Sequence, residues 1–212
     1  MFMEKKKISI LGDSISTFAG YTPEGAVFYD SYVQWETDVK TVEDTWWMQV
    51  IHSIGGELGV NDSLAGSMVS GELSTSAMSD ERIIKLGENG APDIILVSAG
   101  CNDWGFCVLP EEFEECYQIM LQRIKKRYPH TDIWCATLPE GKQPEGASFF
   151  NIDSTISKRV YSDIIRKAAT KAEVFVADLE ECQKEYETID GIHPDKKGMK
   201  TLADMWIAAM KQ

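Results

Sequence analysis

Five short apolar segments alternate with segments of helical periodicity, and this alternation constrains the fold more than any other feature of the chain. The apolar segments predict strands at residues 7–11, 57–61, 93–98, 132–136 and 174–177. Helices are predicted at about 45–54, 80–86, 110–128, 156–168 and after Asp195. Strands that alternate with helices of this length form a parallel sheet with helices packed on both faces.

The size and charge of the chain limit its organisation and its partners. We expect one domain, residues 1–212, because no Pro/Gly/Ser-rich linker or composition shift divides the 212 residues. The formal net charge of −13 is spread through the helices. This charge disfavours nucleic acid and anionic membranes as partners, since both require basic patches. A small or neutral substrate suits it better.

The cysteines and the N-terminal residues indicate the cellular compartment in which the protein is found. The five cysteines are scattered and lack CxxC spacing, which predicts reduced, buried residues rather than disulfides or a zinc site. The basic N-terminal residues are followed by an apolar run too short for a signal peptide, and no stretch is long enough to span a bilayer. We therefore predict a cytoplasmic protein.

The first predicted strand runs directly into a turn that carries Ser14. We expect Gly12 to supply the backbone freedom that a sharp exit from the strand requires, and the turn to present the Ser14 hydroxyl at the carboxyl end of the sheet. A serine hydroxyl is a weak nucleophile by itself. A nucleophilic role for Ser14 therefore requires a base, a group that orients the base, and donors for an oxyanion.

Only three histidines are available as that base. His52 lies inside a predicted helix, and His130 precedes the fourth strand at the amino end of the sheet. His193 alone lies in a loop at the carboxyl ends of the strands, where ligands bind in open parallel sheets. Asp190, three residues earlier across a glycine, is close enough to orient its imidazole. For an isolated D-x-x-H, a surface histidine beside a helix cap would be the simpler interpretation. Because this chain also has the Gly12-Asp13-Ser14 turn, we favour the catalytic one.

Four sequence blocks together resemble the SGNH hydrolases, also called GDSL-type esterases and acylhydrolases. They occur in the family's order at the ends of the first three strands and before the last helix: Gly12-Asp13-Ser14, Gly66, Gly100-Cys101-Asn102-Asp103 and Asp190-Gly191-Ile192-His193-Pro194. Each block is weakly specific, and the four together are strongly so. The first block continues with Ile15 where the family name has leucine, a conservative apolar change.

The resemblance implies a role for each matching residue. Ser14 would be the nucleophile, His193 the general base and then acid, and Asp190 the residue that orients it. The oxyanion donors would be the backbone N–H groups of Ser14 and Gly66 and the side-chain amide of Asn102. The implied fold is a three-layer α/β/α sandwich with a flavodoxin-like five-stranded parallel sheet, and the implied chemistry needs no cofactor or metal.

Two connecting segments have no clear helical or strand period. The segment 18–43 leaves the Ser14 turn and is rich in aromatic residues, so we expect a long loop over the site with Tyr29, Tyr32 and Trp35 as substrate-binding residues. A surface flap that packs its aromatic side chains on its own domain is the alternative. A Gly/Pro-rich loop is predicted from residue 138 to about residue 150.

The resemblance predicts an esterase that removes short acyl groups, acetyl above all, from a small or carbohydrate substrate. The alternative is a catalytically inactive small-molecule or carbohydrate-binding module on the same fold, since a fold alone does not establish activity. A phosphoryl-acceptor or magnesium role for Asp13 lacks a second acidic partner at the first strand end, so Asp13 is expected to brace the turn. Acyl length, the alcohol portion and the oligomeric state stay open from the sequence.

Overall fold

A five-stranded parallel sheet forms the centre of the molecule. The computed structural model describes residues 5–71, 74–145 and 155–211. The strands of this sheet are β1 (Lys7–Gly12), β2 (Glu57–Ser63), β3 (Ile94–Ser98), β4 (Asp132–Ala136) and β6 (Phe175–Ala177). Their order is β2-β1-β3-β4-β6, and every neighbouring pair is parallel. The predicted five-stranded flavodoxin-like sheet is confirmed.

Seven α-helices connect or flank these strands in the described part of the chain. They are α1 (Ser31–Thr37), α2 (Trp46–Ser53), α3 (Asp80–Lys85), α4 (Cys101–Gly105), α5 (Pro110–Arg127), α6 (Lys158–Ala172) and α7 (Lys196–Ala209). The sequence predicted all except α1, which lies in the segment 18–43 that was expected to be a loop, and α4, which has only five residues. As predicted, Asp195 caps α7 by accepting from Gly198 N at 2.8 Å. None of the described helices is both long and apolar enough to cross a lipid bilayer.

Helices pack on both faces of the sheet, which confirms the three-layer α/β/α sandwich. Alternate residues of β1 point to opposite faces, so Ile8 and Ile10 enter one core and Leu11 enters the other. On the first face Trp46 of α2 stacks on Trp206 of α7, with ring centroids 5.1 Å apart. The second face is covered by α3, α5 and α6. Burial of a large apolar side chain contributes about 1.5–3 kcal/mol, so the two cores are the main source of stability.

The parallel register places the carboxyl ends of three strands side by side. Gly12 at the end of β1 pairs with Ser63 at the end of β2 and with Ser98 at the end of β3. The loops that follow these strands consequently begin at one edge of the sheet. Residues of these loops that are distant in sequence therefore lie close together at that edge.

A second, two-stranded sheet holds the segment before α7. It pairs β5 (Gly141–Lys142) with β7 (Tyr186–Glu187), and an isolated bridge joins Thr188 to Pro194. The hydroxyl of Thr188 also donates to the main-chain oxygen of Lys142 at 2.7 Å. The predicted loop at 138–150 thus contains a short strand, and its part from residue 146 lies outside the described residues. These contacts restrain the loop that carries residues 190–194.

Candidate active site

The turn after β1 places Ser14 at the carboxyl edge of the sheet. Asp13 precedes a 3₁₀ turn (Ser14–Ser16), and its Oδ1 accepts a hydrogen bond from Ile15 N at 3.1 Å. This is the bracing role expected for Asp13. Ser14 is 7% exposed, so its hydroxyl lies at the bottom of a depression rather than on the open surface.

Gly12 is required for close packing rather than for backbone freedom. It does not have a positive φ, so the expected conformational role is wrong. A Cβ atom at this position would lie 2.7 Å from Ser63 Oγ and 2.8 Å from Ser16 Oγ. A side chain would therefore push apart the end of β2 and the turn that holds Ser14.

His193 joins the loop before α7 to the Ser14 turn. Its Nε2 lies 2.9 Å from Ser14 Oγ, and its Nδ1 lies 2.6 Å from Asp190 Oδ2. Since an ionised carboxylate only accepts, Nδ1–H donates to Asp190 and Nε2 is the acceptor for the Ser14 hydroxyl. The three side chains form a continuous hydrogen-bonded chain, and His193 is only 5% exposed.

Both oxygens of Asp190 are committed within its own loop. Oδ1 accepts from the main-chain N–H groups of Ile192 at 3.0 Å and His193 at 2.7 Å, while Oδ2 faces the imidazole. Burial raises the pKa of the Asp190 carboxyl, but the hydrogen bonds and charge of His193, with the two main-chain donors, outweigh burial and hold it below its ordinary value. Asp190 is therefore a carboxylate at neutral pH and can orient the imidazole.

Gly66 and Asn102 face the same depression from the loops after β2 and β3. Gly66 has a φ of +75°, a conformation that residues with a side chain rarely adopt. The Nδ2 atom of Asn102 donates to Ser67 O at 2.8 Å. An amide NH₂ has two hydrogens, so this bond orients the group and leaves a second hydrogen for a ligand.

One pocket of about 510 Å³ joins these groups. Its lining includes Ser14, Gly66, Asn102 and His193, together with apolar side chains. The structure thus brings together the nucleophile, base and oxyanion donors predicted from the sequence, with Asp190 behind the base. Such an arrangement can transfer a proton from Ser14 and stabilise negative charge beside it.

The carboxyl of Asp13 is buried directly behind this pocket. Burial raises its pKa to about 6, against the lowering effects of the Ile15 N–H and the charge of His193. Asp13 therefore carries only a small fraction of neutral form at pH 7, and its ionisation costs free energy that the surrounding structure must supply.

The model of the GDSL-like Lipase/Acylhydrolase family matches residues 6–210, which is nearly the whole chain. The chain belongs to the GDSL-like lipase/acylhydrolase family. A comparison with curated proteins found no significant match.

Three solved structures illustrate the similarity of this fold to known proteins. A GDSL-like lipase from Bacteroides uniformis is 27% identical, with a TM-score of 0.73 and coverage of 100% of this chain and 98% of that one. One from Bacteroides ovatus is 23% identical, with a TM-score of 0.75 and 99% coverage of both chains. A carbohydrate acetylesterase family member from Sinorhizobium meliloti is 14% identical, with a TM-score of 0.70 and 97% coverage of both.

A buried arginine supports the site in this GDSL-like chain. The guanidinium of Arg82, on α3, is 1% exposed and pairs with Asp62 through Nε and Oδ2 at 2.8 Å. It also donates to Gly12 O at 3.0 Å and Thr75 O at 2.9 Å, and to Asp62 O and Ser67 Oγ. Arg82 thereby ties the ends of β1 and β2 to the loop that contains Gly66.

Asp103 holds the other side of the Gly66 loop. Its carboxylate accepts from Val69 N at 2.8 Å and from Ser70 N at 2.9 Å, and its side chain is fully buried. Burial raises its pKa, and these hydrogen bonds oppose that effect. The block that carries Asn102 is thus fastened to the segment that follows Gly66.

The pocket wall is aromatic and contains residues that the sequence did not assign to the site. Phe28, Trp104 and Phe106 line it. Trp104 Nε1 donates to Ile156 O at 2.8 Å, and the Lys158 ammonium lies 4.6 Å from the centroid of its ring. The position of Trp104 and Phe106 directly after the third sequence block was the signal that could have identified them.

The aromatic residues predicted to bind substrate lie elsewhere. Tyr29 is fully buried and donates its hydroxyl to Pro194 O at 2.8 Å, so it is a structural residue and that prediction needs correction. Tyr32 and Trp35 lie on α1 and are 70% and 76% exposed, outside the pocket lining. The segment 18–43 is consequently part loop and part helix, and Phe28 is its contribution to the pocket.

The other predicted features can be located as well. His52 lies on α2 with Nδ1 3.1 Å from a carboxylate oxygen of Glu43, and His130 follows α5 on the surface. Within the described ranges, three or more His, Cys, Asp or Glu side chains do not gather in a group that could hold a metal ion. The five cysteines are all free thiols; the predicted burial is found for Cys116 and Cys135, and it is wrong for Cys107, which is exposed.

Proposed function

We propose that this protein is a serine ester hydrolase that acts through Ser14, His193 and Asp190. The observation that carries the proposal is the continuous chain of hydrogen bonds from Ser14 Oγ to His193 at 2.9 Å and from His193 to Asp190 at 2.6 Å. These distances allow proton transfer without rearrangement. Membership of a family of lipases and acylhydrolases supports the same chemistry.

The first half of the reaction forms an acyl-enzyme. Ser14 Oγ attacks the carbonyl carbon of the ester while His193 Nε2 takes the hydroxyl proton. Asp190 keeps Nδ1 protonated and stabilises the positive charge on the imidazole. The tetrahedral intermediate collapses when His193 returns the proton to the leaving alcohol, and the acyl group stays on Ser14.

Three donors would stabilise the oxyanion of each tetrahedral intermediate. They are the main-chain N–H groups of Ser14 and Gly66 and the second amide hydrogen of Asn102. The bond from Asn102 to Ser67 O supports this assignment, because it aims the amide before the substrate arrives. A donor that is already oriented costs no reorganisation during the reaction.

The second half of the reaction releases the acid. Water replaces the alcohol in the pocket, His193 accepts its proton, and the resulting hydroxide attacks the acyl carbon. The ester bond to Ser14 then breaks, and the proton returns to Ser14 Oγ. Free enzyme and a carboxylic acid are the products.

The character of the pocket supports a neutral substrate. No acidic side chain, lysine or arginine is among the residues that line it, and Phe28, Trp104 and Phe106 provide flat apolar surface. The likeness to a carbohydrate acetylesterase family member supports acetylated sugars as the substrate class. Because Tyr32 and Trp35 lie outside the pocket, we assign them contacts only with a substrate that extends beyond it.

Hydrolysis of an aryl acetate by the purified protein and by Ser14→Ala tests the proposal. The wild type should release the phenol and the variant should not, and a fluorophosphonate should label Ser14 alone. Acetylated sugars and aryl esters of increasing chain length then define the substrate. If the wild type binds sugars but cleaves none of these esters, the protein is a binding module. Labelling at Ser16 or Ser67 would show that the nucleophile is that serine and not Ser14.

A further inference from the structure

The ring of Phe28 lies flat on the imidazole of His193. The two ring centroids are 3.6 Å apart, and the planes differ by 11°. Phe28 belongs to the segment that leaves the Ser14 turn, whereas His193 precedes the last helix. One face of the imidazole is therefore covered by a side chain from the opposite end of the chain.

Main-chain contacts of Phe28 connect its position to the Ser14 turn. Phe28 N donates to Thr17 Oγ1 at 2.9 Å, and the same hydroxyl donates to Ser14 O at 2.9 Å. The neighbouring Tyr29 donates its buried hydroxyl to Pro194 O at 2.8 Å. The ring is thus placed relative to both the nucleophile and the base, not by the local chain alone.

The plane of the His193 imidazole must be kept for both of its hydrogen bonds to form. Nδ1 contacts Asp190 and Nε2 contacts Ser14, and rotation of the ring about the Cβ–Cγ bond displaces these nitrogens from their partners. An aromatic ring stacked on the face opposes that rotation. It also attracts the imidazolium more strongly than the neutral ring, through the negative charge density of the π face.

We propose that Phe28 is a positioning residue for the base, which holds the plane of His193 and stabilises its protonated form during the reaction. This inference rests on the proposed role of His193 as general base. Charged groups that act on the imidazole include Asp190, in direct contact, and Asp13, behind the Ser14 turn. Phe28 adds a neutral contact on one face of the ring.

Phe28 also lines the pocket, so a role as substrate wall must be separated from the positioning role. A wall residue changes KM and the ranking of substrates. A positioning residue changes kcat on every substrate, and it changes the pH at which the base becomes protonated and inactive. Phe106 lines the same pocket and is 60% exposed, which makes it a matched control for loss of aromatic surface.

The kinetic test compares Phe28→Leu, Phe28→Tyr and Phe106→Leu on an aryl acetate. Phe28→Leu should lower kcat about 3–10-fold with KM changed less than about 2-fold, and should move the acid limb of kcat/KM down by about 0.3–0.7 pH units, as expected for loss of a cation–π contact. Phe28→Tyr keeps the ring and should restore both values. Phe106→Leu should change KM and leave the acid limb in place.

A proton NMR spectrum provides a readout that does not depend on activity. The chain has only three histidines, so the imidazole resonances of His193 can be assigned with His193→Gln. The ring current of Phe28 should shift these resonances upfield, and Phe28→Leu should remove that shift while those of His52 and His130 stay unchanged.

The outcomes separate this inference from the proposed function. If the wild type is an esterase and Phe28→Leu has the wild-type kcat and acid limb, the positioning role is wrong and the esterase assignment stands. If His193 shows no ring-current shift, Phe28 does not stack on the imidazole in solution and the inference is wrong. If the wild type cleaves no ester although the shift is present, the proposed function fails and the contact is only structural.

Discussion

Arg82 and Asp62 form an ion pair that is 1% exposed on both sides, directly behind the loop that carries Gly66. The Asp62 carboxylate and the Arg82 guanidinium lie 2.8 Å apart, and the guanidinium also contacts Gly12 O. Burial lowers the pKa of the Arg82 guanidinium, and the charge of Asp62 opposes that effect. A buried pair of this kind is costly to break because the remaining partner stays charged in a medium of low dielectric constant.

We expect Arg82→Met to destabilise the protein by about 3–5 kcal/mol, because Asp62 would remain buried and unpaired. Urea unfolding at pH 7 measures this difference. Arg159→Met is the control, since Arg159 is two-thirds exposed and lies 3.9 Å from Glu181, a pair worth less than about 1 kcal/mol. Similar losses of stability for the two variants would mean that the buried pair contributes no more to the free energy of unfolding than the exposed one.

Asn102→Ala should lower kcat about 10²–10³-fold with little change in KM, because the amide donates to the oxyanion only after the carbonyl is attacked. Steady-state kinetics on an aryl acetate measure both constants. Asn89→Ala is the matched control, since Asn89 also donates to a main-chain oxygen, that of Gly59 at 2.9 Å, outside the pocket. A change confined to KM would assign Asn102 to substrate binding.

Asp190→Asn should reduce kcat by about 10⁴-fold, because an amide that donates to Nδ1 favours the tautomer with the proton on Nε2, which cannot accept the Ser14 proton. The loss of negative charge beside His193 should also move the acid limb of kcat/KM to lower pH. The pH profile of the variant measures both effects. Asp195→Asn serves as the control, because Asp195 caps α7 and is the alternative carboxylate nearest to His193 in the sequence. If Asp195→Asn moves the limb and Asp190→Asn does not, the assigned pairing is wrong.

Asp13→Asn should change how stability depends on pH. The pKa of Asp13 is raised from 3.8 to about 6, so its neutral form contributes stability that is fully present below about pH 3.8 and is lost as the pH rises through about 6. The total is about 3 kcal/mol for a shift of this size. The asparagine variant lacks this loss and should gain stability relative to the wild type between pH 4 and pH 7.

Urea unfolding at pH 4, 5, 6 and 7 measures the difference between wild type and Asp13→Asn. Glu88→Gln is the control, since it removes a carboxylate that is exposed rather than buried. If the difference between Asp13→Asn and the wild type does not change with pH, burial does not raise the pKa of the Asp13 carboxyl.

Trp104→Leu should change the ranking of acetylated sugars and aryl esters more than Tyr32→Ala does. Trp104 lines the pocket and is held by Ile156 O, whereas Tyr32 is exposed on α1. Specificity constants for a panel of esters measure the ranking. If Tyr32→Ala has the larger effect on the smallest ester, the substrate lies over α1 rather than in the pocket.

Several features were determined by local sequence. The period of apolar residues predicted α5 and α7 because each helix buries one face, and the apolar runs predicted β1, β3 and β4 because each strand is buried in the sheet. The strand ends then indicated where Ser14, Asn102 and His193 would lie. This prediction needs no distances, because parallel strands present all their carboxyl ends at one edge.

Contacts between distant segments were decided by the tertiary structure. Arg82 has the same helical spacing as the buried Leu86, but only the fold shows that its charge is neutralised by Asp62 from β2. In the segment 18–43, Tyr29 precedes α1 and is buried, whereas Tyr32 lies on α1 and is exposed, and no period in the local sequence distinguishes the two. A side chain's role there depends on which distant surface meets it, and local propensity contains no information about that surface.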